Sequence, residues 1–137
     1  MSLFVDTSAW YAAADRSDRS HRPATAVLGA GEALVTSDHV LVESWLLIRH
    51  RLGRPVAERF WEGLRHGVAE VEPVTAADLA AAWAVAEAFP DQDFSIVDRT
   101  SFAVMQRLGL RRVATFDDDF AVYRFGRDRR LAFEVVR

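Results

Sequence analysis

Leu3-Phe4-Val5-Asp6-Thr7-Ser8-Ala9-Trp10, LFVDTSAW, decides how the chain is read. Three apolar residues suit a short buried strand, and Asp6 stops the run. Trp10 to Ala14 then reads as a helix. A strand handing over directly to a helix opens a parallel α/β unit. In sheets of that kind, ligands gather where strands end, and this strand ends on a carboxylate. Aspartate in that place also reads as an N-cap for the following helix.

The rest of the chain repeats the alternation. Arg22-Pro23 through Ala30 is helix-like, Ala33 to Thr36 a second strand, and Ser37-Asp38 a cap for a helix over Val40 to Leu52. Gly53 closes that helix, and Pro55 fits the first turn of another, to about His66. Val71 to Val74 reads as a third strand. Thr75-Ala76-Ala77-Asp78 resembles a capping box, opening a helix to about Phe89. Ser95 to Leu108 is helical and stopped by Gly109; Arg112 to Thr115 and Phe133 to Val136 are strands four and five. This order predicts one α/β domain over residues 1–137, a parallel sheet of about five strands with helices on both faces.

Composition narrows the chemistry. The 137 residues include no cysteine, so thiol nucleophiles, iron–sulfur clusters and thiolate zinc sites are excluded. Every one of the 17 basic side chains is arginine, which removes a Schiff-base or P-loop lysine. The four histidines show no zinc-ligand spacing. Net charge is −3, so any polyanion must be held locally. No apolar run approaches the roughly 20 residues of a membrane span, and the first residues do not read as a secretory signal. The cytoplasm is the expected location.

Three further acids stand in unexpected places. In FSIVDRTSFAVM, Asp98 lies between Phe94, Phe102 and Met105 at helical steps of four and three, in the middle of an apolar stripe. It reads as a salt-bridged or capping residue, or as a ligand. Glu43, in HVLVESWLLIRH, shares a face with Val40, Leu46 and Leu47. ATFDDDF ends the fourth strand on Asp117-Asp118-Asp119, boxed between Phe116 and Phe120. Two carboxylates about 4 Å apart repel by roughly 4 kcal/mol at an effective dielectric of 20. Four in one pocket take up protons or bind cations. An oxygen-only cluster suits Mg²⁺ or Mn²⁺.

FVDTSAW, HVLVESWLLI, FSIVDRTSFAVM and VATFDDDF, in that order and spacing, resemble the motifs of the PIN-domain ribonucleases, specifically the VapC-type toxins of toxin–antitoxin pairs. The resemblance implies a metal site of Asp6, Glu43, Asp98 and Asp117, with Asp119 an alternative fourth acid. It implies that the hydroxyls of Thr7, Ser8 and Thr115 support the acids or the attacking water. It also implies hydrolysis of RNA to 5′-phosphate and 3′-hydroxyl ends, a homodimer held by helices, and an antitoxin supplied as a separate chain. For the substrate, Arg124, Arg127, Arg129 and Arg130 in YRFGRDRR are candidate phosphate contacts, with Tyr123 or Phe125 to stack on a base. A solvated loop is the simpler reading of that stretch. Arg49, Arg51 and Arg54 read as a helix's C-terminal turn, and Trp10, Trp45, Trp61 and Trp83 as mostly core. An aspartyl phosphatase or a receiver-like domain is disfavoured by the missing lysine and by Ser8 two residues after Asp6. A binding-only module and a DNA nuclease remain the alternatives.

Overall fold

The computed structural model describes residues 2–137. Its strands are β1 (Ser2–Val5), β2 (Ala33–Ser37), β3 (Glu70–Glu72), β4 (Arg112–Ala114) and β5 (Glu134–Val136). Its helices are α1 (Thr7–Ala14), α2 (His21–Leu28), α3 (Asp38–Leu52), α4 (Arg54–Arg65), α5 (Ala76–Ala88), α6 (Ile96–Leu108) and α7 (Asp119–Val122). The five strands form one sheet in the order β3-β2-β1-β4-β5, every pairing parallel. Moving along the chain from β1, the sheet grows first to one side through β2 and β3. It then returns to the other side of β1 with β4. The gap between the carboxyl ends of β1 and β4 is therefore the topological switch point, where such sheets bind ligands.

Local chemistry sets the helix boundaries. Ser37 caps α3, its Oγ accepting from Val40 N at 3.1 Å. Gly53 joins α3 to α4 at φ 93°, ψ 163°, a conformation that glycine alone adopts readily. Thr75 and Asp78 exchange hydrogen bonds at 2.9 and 3.1 Å, confirming the capping box on α5. Gly109 ends α6 in the left-handed region at φ 70°. The third strand lies earlier than expected, at Glu70–Glu72 instead of Val71–Val74. Pro73 has no N–H for the ladder, and Val74 N donates to Asp38 Oδ1 at 3.0 Å.

The core forms around the sheet, with Phe4, Val5 and Val113 buried among Phe102, Met105 and Phe120. Tyr123 stacks on Phe102, centroids 4.2 Å apart. That corrects the expectation that Tyr123 or Phe125 stacks on a base, because both rings are buried. Trp10 is core, as expected, but Trp61 and Trp83 are 44% and 69% exposed. Half-buried Trp45 sits between these extremes. Leu46 and Val42, more than half exposed on α3, add to the uncovered apolar surface. The Glu43 face of α3 is thus less buried than its sequence pattern suggested.

Candidate active site

Asp6 occupies the N-cap position of α1, yet its side chain makes no capping bond. Its Oδ2 accepts from Thr115 Oγ1 at 2.9 Å and Ser8 Oγ at 3.2 Å. The two hydroxyls lie 3.1 Å apart and in turn receive backbone N–H groups, Phe116 N on Ser8 and Asp117 N on Thr115. A web of small hydroxyls thus ties the β1–α1 junction to the loop after β4 and aims one carboxylate. Asp6 is 1% exposed. Burial, with Asp117 and Glu43 adding repulsion against the Thr115 bond, pushes its pKa up to about 6.

Asp98 enters from α6. Its Oδ2 accepts from Ser95 N at 3.1 Å while Ser95 Oγ accepts from Asp98 N at 3.0 Å, a reciprocal cap. Arg99 does not pair with it; that guanidinium bonds the carbonyls of Ser95 and Ala82. Burial, then crowding by Asp6 and Asp119, pushes Asp98 up to about 7. Asp117 stands at the exposed rim and is raised by burial of its carboxyl and by Asp119, Glu43 and Asp118, partly offset by Arg137. Asp117 lies near enough to Asp6 and Glu43, and Asp119, the first residue of α7, near enough to Asp98 and Asp117, for their charges to repel. Asp118 points away, 3.3 Å from Arg137. It sits at the N-cap of α7 without a side-chain cap bond.

Glu43 reaches the site from α3 and lines, with Thr7, Ser8, Asp117 and half-buried Phe116, a cleft of about 510 Å³. Asp6, Glu43, Asp98, Asp117 and Asp119 form no ion pair among the described residues. Nor do any three His, Cys, Asp or Glu side chains among these residues stand close enough to cage an ion. The donors fit a hard divalent ion: carboxylate and hydroxyl oxygens, no imidazole, no thiolate. Thr7 Oγ1 is buried without a hydrogen-bond partner on the same cleft, an unmet polar atom that a bound group would satisfy.

The arginines of YRFGRDRR are not drawn into this cleft. Arg124 folds back on the carbonyls of Ala121, Val122 and Tyr123, and Arg129 lies over the Phe89 ring. The basic residues that do line the cleft are Arg19 and Arg51. Arg51 follows Glu43 and Leu47 at four-residue steps, a spacing visible in the sequence that its reading as a dipole-favoured terminus obscured.

The PIN domain family model matches residues 3–126. The chain is 36% identical over 124 residues to the 23S rRNA-specific endonuclease VapC20 of Mycobacterium tuberculosis, covering 90% of this chain and 95% of that protein. The solved structure of VapC20, described as a Sarcin-Ricin loop cleaving toxin, superposes with a TM-score of 0.82 over 87% of this chain and 92% of its own. VapBC2 of Rickettsia felis, bound to a promoter DNA fragment, has a TM-score of 0.66 at 11% identity, covering 87% of this chain and 90% of that one. A toxin–antitoxin complex from Klebsiella pneumoniae scores 0.65 at 15% identity, covering 85% and 88%. These last two likenesses concern the fold. The chain belongs to the PIN-domain family, in its VapC-type branch.

Proposed function

We propose that this chain is a divalent-metal-dependent endoribonuclease and the toxin of a toxin–antitoxin pair, with residues 1–137 forming one nuclease domain. The observation that carries this reading is the buried, unpaired Asp6 at the switch point between β1 and β4, held by Thr115 and Ser8 with Asp98 and Asp117 near enough to repel it. Asp6 and Asp98 are the principal ligands for Mg²⁺ or Mn²⁺, and Glu43, Asp117 and Asp119 complete the shell or orient water. The ion, when bound, lowers the pKa of water and neutralises phosphate charge. The chain's own residues do the positioning. Thr115 and Ser8 hold Asp6 in one rotamer, the Ser95 cap fixes Asp98, and Thr7 keeps a buried hydroxyl without a partner beside the cleft. Burial, with Asp6 and Asp119 nearby, pushes the Asp98 carboxyl up to about 7, and a cation bound beside it would favour its charged form.

Large ribosomal RNA is the substrate class to test first, since VapC20 is specific for 23S rRNA. The toxin acts in the cytoplasm, pairs with a second copy through helices, and is held inactive by a separate antitoxin chain. Exposed Val42, Leu46, Trp61 and Trp83 offer apolar surface for such partners. No helix among the described residues is long and apolar enough to cross a membrane. The test is cleavage of end-labelled ribosomal RNA by purified, antitoxin-free protein in Mg²⁺, Mn²⁺ or EDTA, with Asp98→Asn alongside. Discrete products with 5′-phosphates that require metal and vanish in the variant are expected. Cleavage that persists in EDTA would overturn the metal mechanism, and silence with every RNA would leave a binding module.

A further inference from the structure

The acids explain how a phosphate is attacked but not how an acidic protein keeps hold of the strand. One face of α3 runs Glu43, Leu47, Arg51, each one turn beyond the last. At 1.5 Å per residue, Glu43 and Arg51 stand about 12 Å apart along the helix. The facing wall is Tyr11 of α1, and the turn before α2 closes the end with Arg19. The cleft carries both signs: Glu43 and Asp117 among its acids, Arg51 two turns beyond Glu43 on α3, Arg19 beside Asp18, and the apolar Leu47 and Phe116. Its volume of about 510 Å³ falls within the range of small-ligand sites, roughly 300–1,000 Å³.

Arg51 is held ready. Its guanidinium carbon lies 5.1 Å from the centroid of the Tyr11 ring. Tyr11 is pinned in turn, its hydroxyl donating to Asp15 Oδ2 at 2.6 Å. Stacking on an aromatic face orients the guanidinium fork while leaving its N–H groups free for phosphate. Neither Arg51 nor Arg19 forms an ion pair among the described residues, whereas Arg54, Arg107, Arg112 and Arg137 are all engaged by carboxylates. Exposed arginine at a helix end favours the dipole wherever it points, and Arg49 does so without lining the cleft. Arg51 differs in facing the acids.

The geometry points to a one-nucleotide subsite beside the scissile phosphate: a base against Leu47 and Phe116, and the next phosphate on Arg51 and Arg19. This assignment rests on the nuclease reading above and adds where the strand lies, on the α1–α3 side instead of over YRFGRDRR.

Binding of a fluorescein-labelled single-stranded RNA oligonucleotide to the full chain is measured by anisotropy in Ca²⁺ across a salt series, with steady-state cleavage in Mg²⁺ run in parallel. Arg51→Gln and Arg19→Gln are each expected to weaken binding about five- to tenfold and to flatten the salt dependence by about 0.7 in log–log slope. KM should rise with kcat little changed, a pattern that simple loss of structure does not produce. Arg51→Lys should recover part of the affinity. Arg65→Gln, an exposed charge of α4 that does not line the cleft, controls for net charge. Unchanged affinity and KM in both cleft variants, or a loss confined to Arg127→Gln, overturns the subsite while cleavage by the parent chain leaves the nuclease intact. A chain that binds RNA through Arg51 yet cleaves nothing in Mg²⁺ or Mn²⁺ removes the nuclease reading and leaves the subsite standing. Absence of any RNA binding overturns both.

Discussion

At the scale of single residues, Asp98 shows why chemistry and structure are hard to separate in a sequence. Its place in an apolar stripe marks it as costly, and capping and ligation read as alternatives. The structure makes the cap real on one oxygen: Ser95 N bonds Oδ2, and no protein donor reaches Oδ1 among the described residues. Asn at position 98 keeps an acceptor for the cap and loses the charge; Ala loses both. Asp98→Ala should therefore be about 1 kcal/mol less stable than Asp98→Asn in urea melts, with both inactive. The folded pKa values of Asp6 and Asp98, about 6 and about 7, lie above the ordinary 3.8. Folding then binds protons, so the stability these groups confer is full below pH 4 and is lost as pH rises through 6 to 7. In EDTA, Asp98→Asn should gain on the parent chain by on the order of 2 kcal/mol between pH 4 and pH 7.5. Saturating Mg²⁺ should cancel that gain, and a gain of the opposite sign would refute the burial argument. Thr115 is the matching test of support. Thr115→Val removes the 2.9 Å bond to Asp6 and should lower Mg²⁺ affinity and cleavage about 10- to 100-fold, with Thr115→Ser near normal. The hydroxyl pair was legible only as a family likeness, because Ser8 and Thr115 are 107 positions apart.

At the scale of elements, the alternation of strand and helix was readable because each turn of chain carries its own punctuation: Ser37, Gly53, Thr75, Ser95 and Gly109. What escaped were features fixed across elements. Arg107, near the end of α6, bonds Asp78 of α5 at 2.9 Å, Glu72 of β3 at 2.8 Å and the Pro73 carbonyl at 3.2 Å. Burial alone would raise Asp78, yet Arg107 and the Thr75 cap hold it below the usual carboxylate range. Removing the arginine strands a 3% exposed carboxylate. A fully buried pair would lose about 3–5 kcal/mol; since Arg107 itself is about a third exposed, Arg107→Ala should cost roughly 2 kcal/mol by denaturant melts. The site acids are not attached to this clasp, so kcat should hold within about twofold at temperatures where the variant is folded. The arginines differ in a related way: Arg19 and Arg51 line the cleft and those of YRFGRDRR do not. Charge density drew attention to YRFGRDRR, whereas orientation decides which guanidiniums meet the cleft.

At the scale of the whole molecule, the parallel sheet and its carboxyl edge followed from element order, but the strand order β3-β2-β1-β4-β5 did not. Pairing among parallel strands depends on crossovers whose hand is fixed but whose span is not. Because β1 is hydrogen-bonded to both β2 and β4, the two sides of the sheet share one core. Unfolding followed by far-ultraviolet circular dichroism and by tryptophan fluorescence should give coincident single transitions. Two separated transitions would show that residues 1–137 are not one cooperative unit. Sedimentation equilibrium should return twice the 15.4 kDa chain mass, as the exposed faces around Trp61 and Trp83 lead one to expect.

The bond between Thr115 and Asp6 spans 109 positions, and this has a consequence for the order of events during synthesis. Asp6 is made 109 residues before the hydroxyl that aims it. A nascent polypeptide carries this carboxylate through the synthesis of those 109 residues without the hydroxyl that aims it, or the β4 edge beside it. The carboxylate therefore cannot take up its aimed position until Thr115 and the β4 edge have been made.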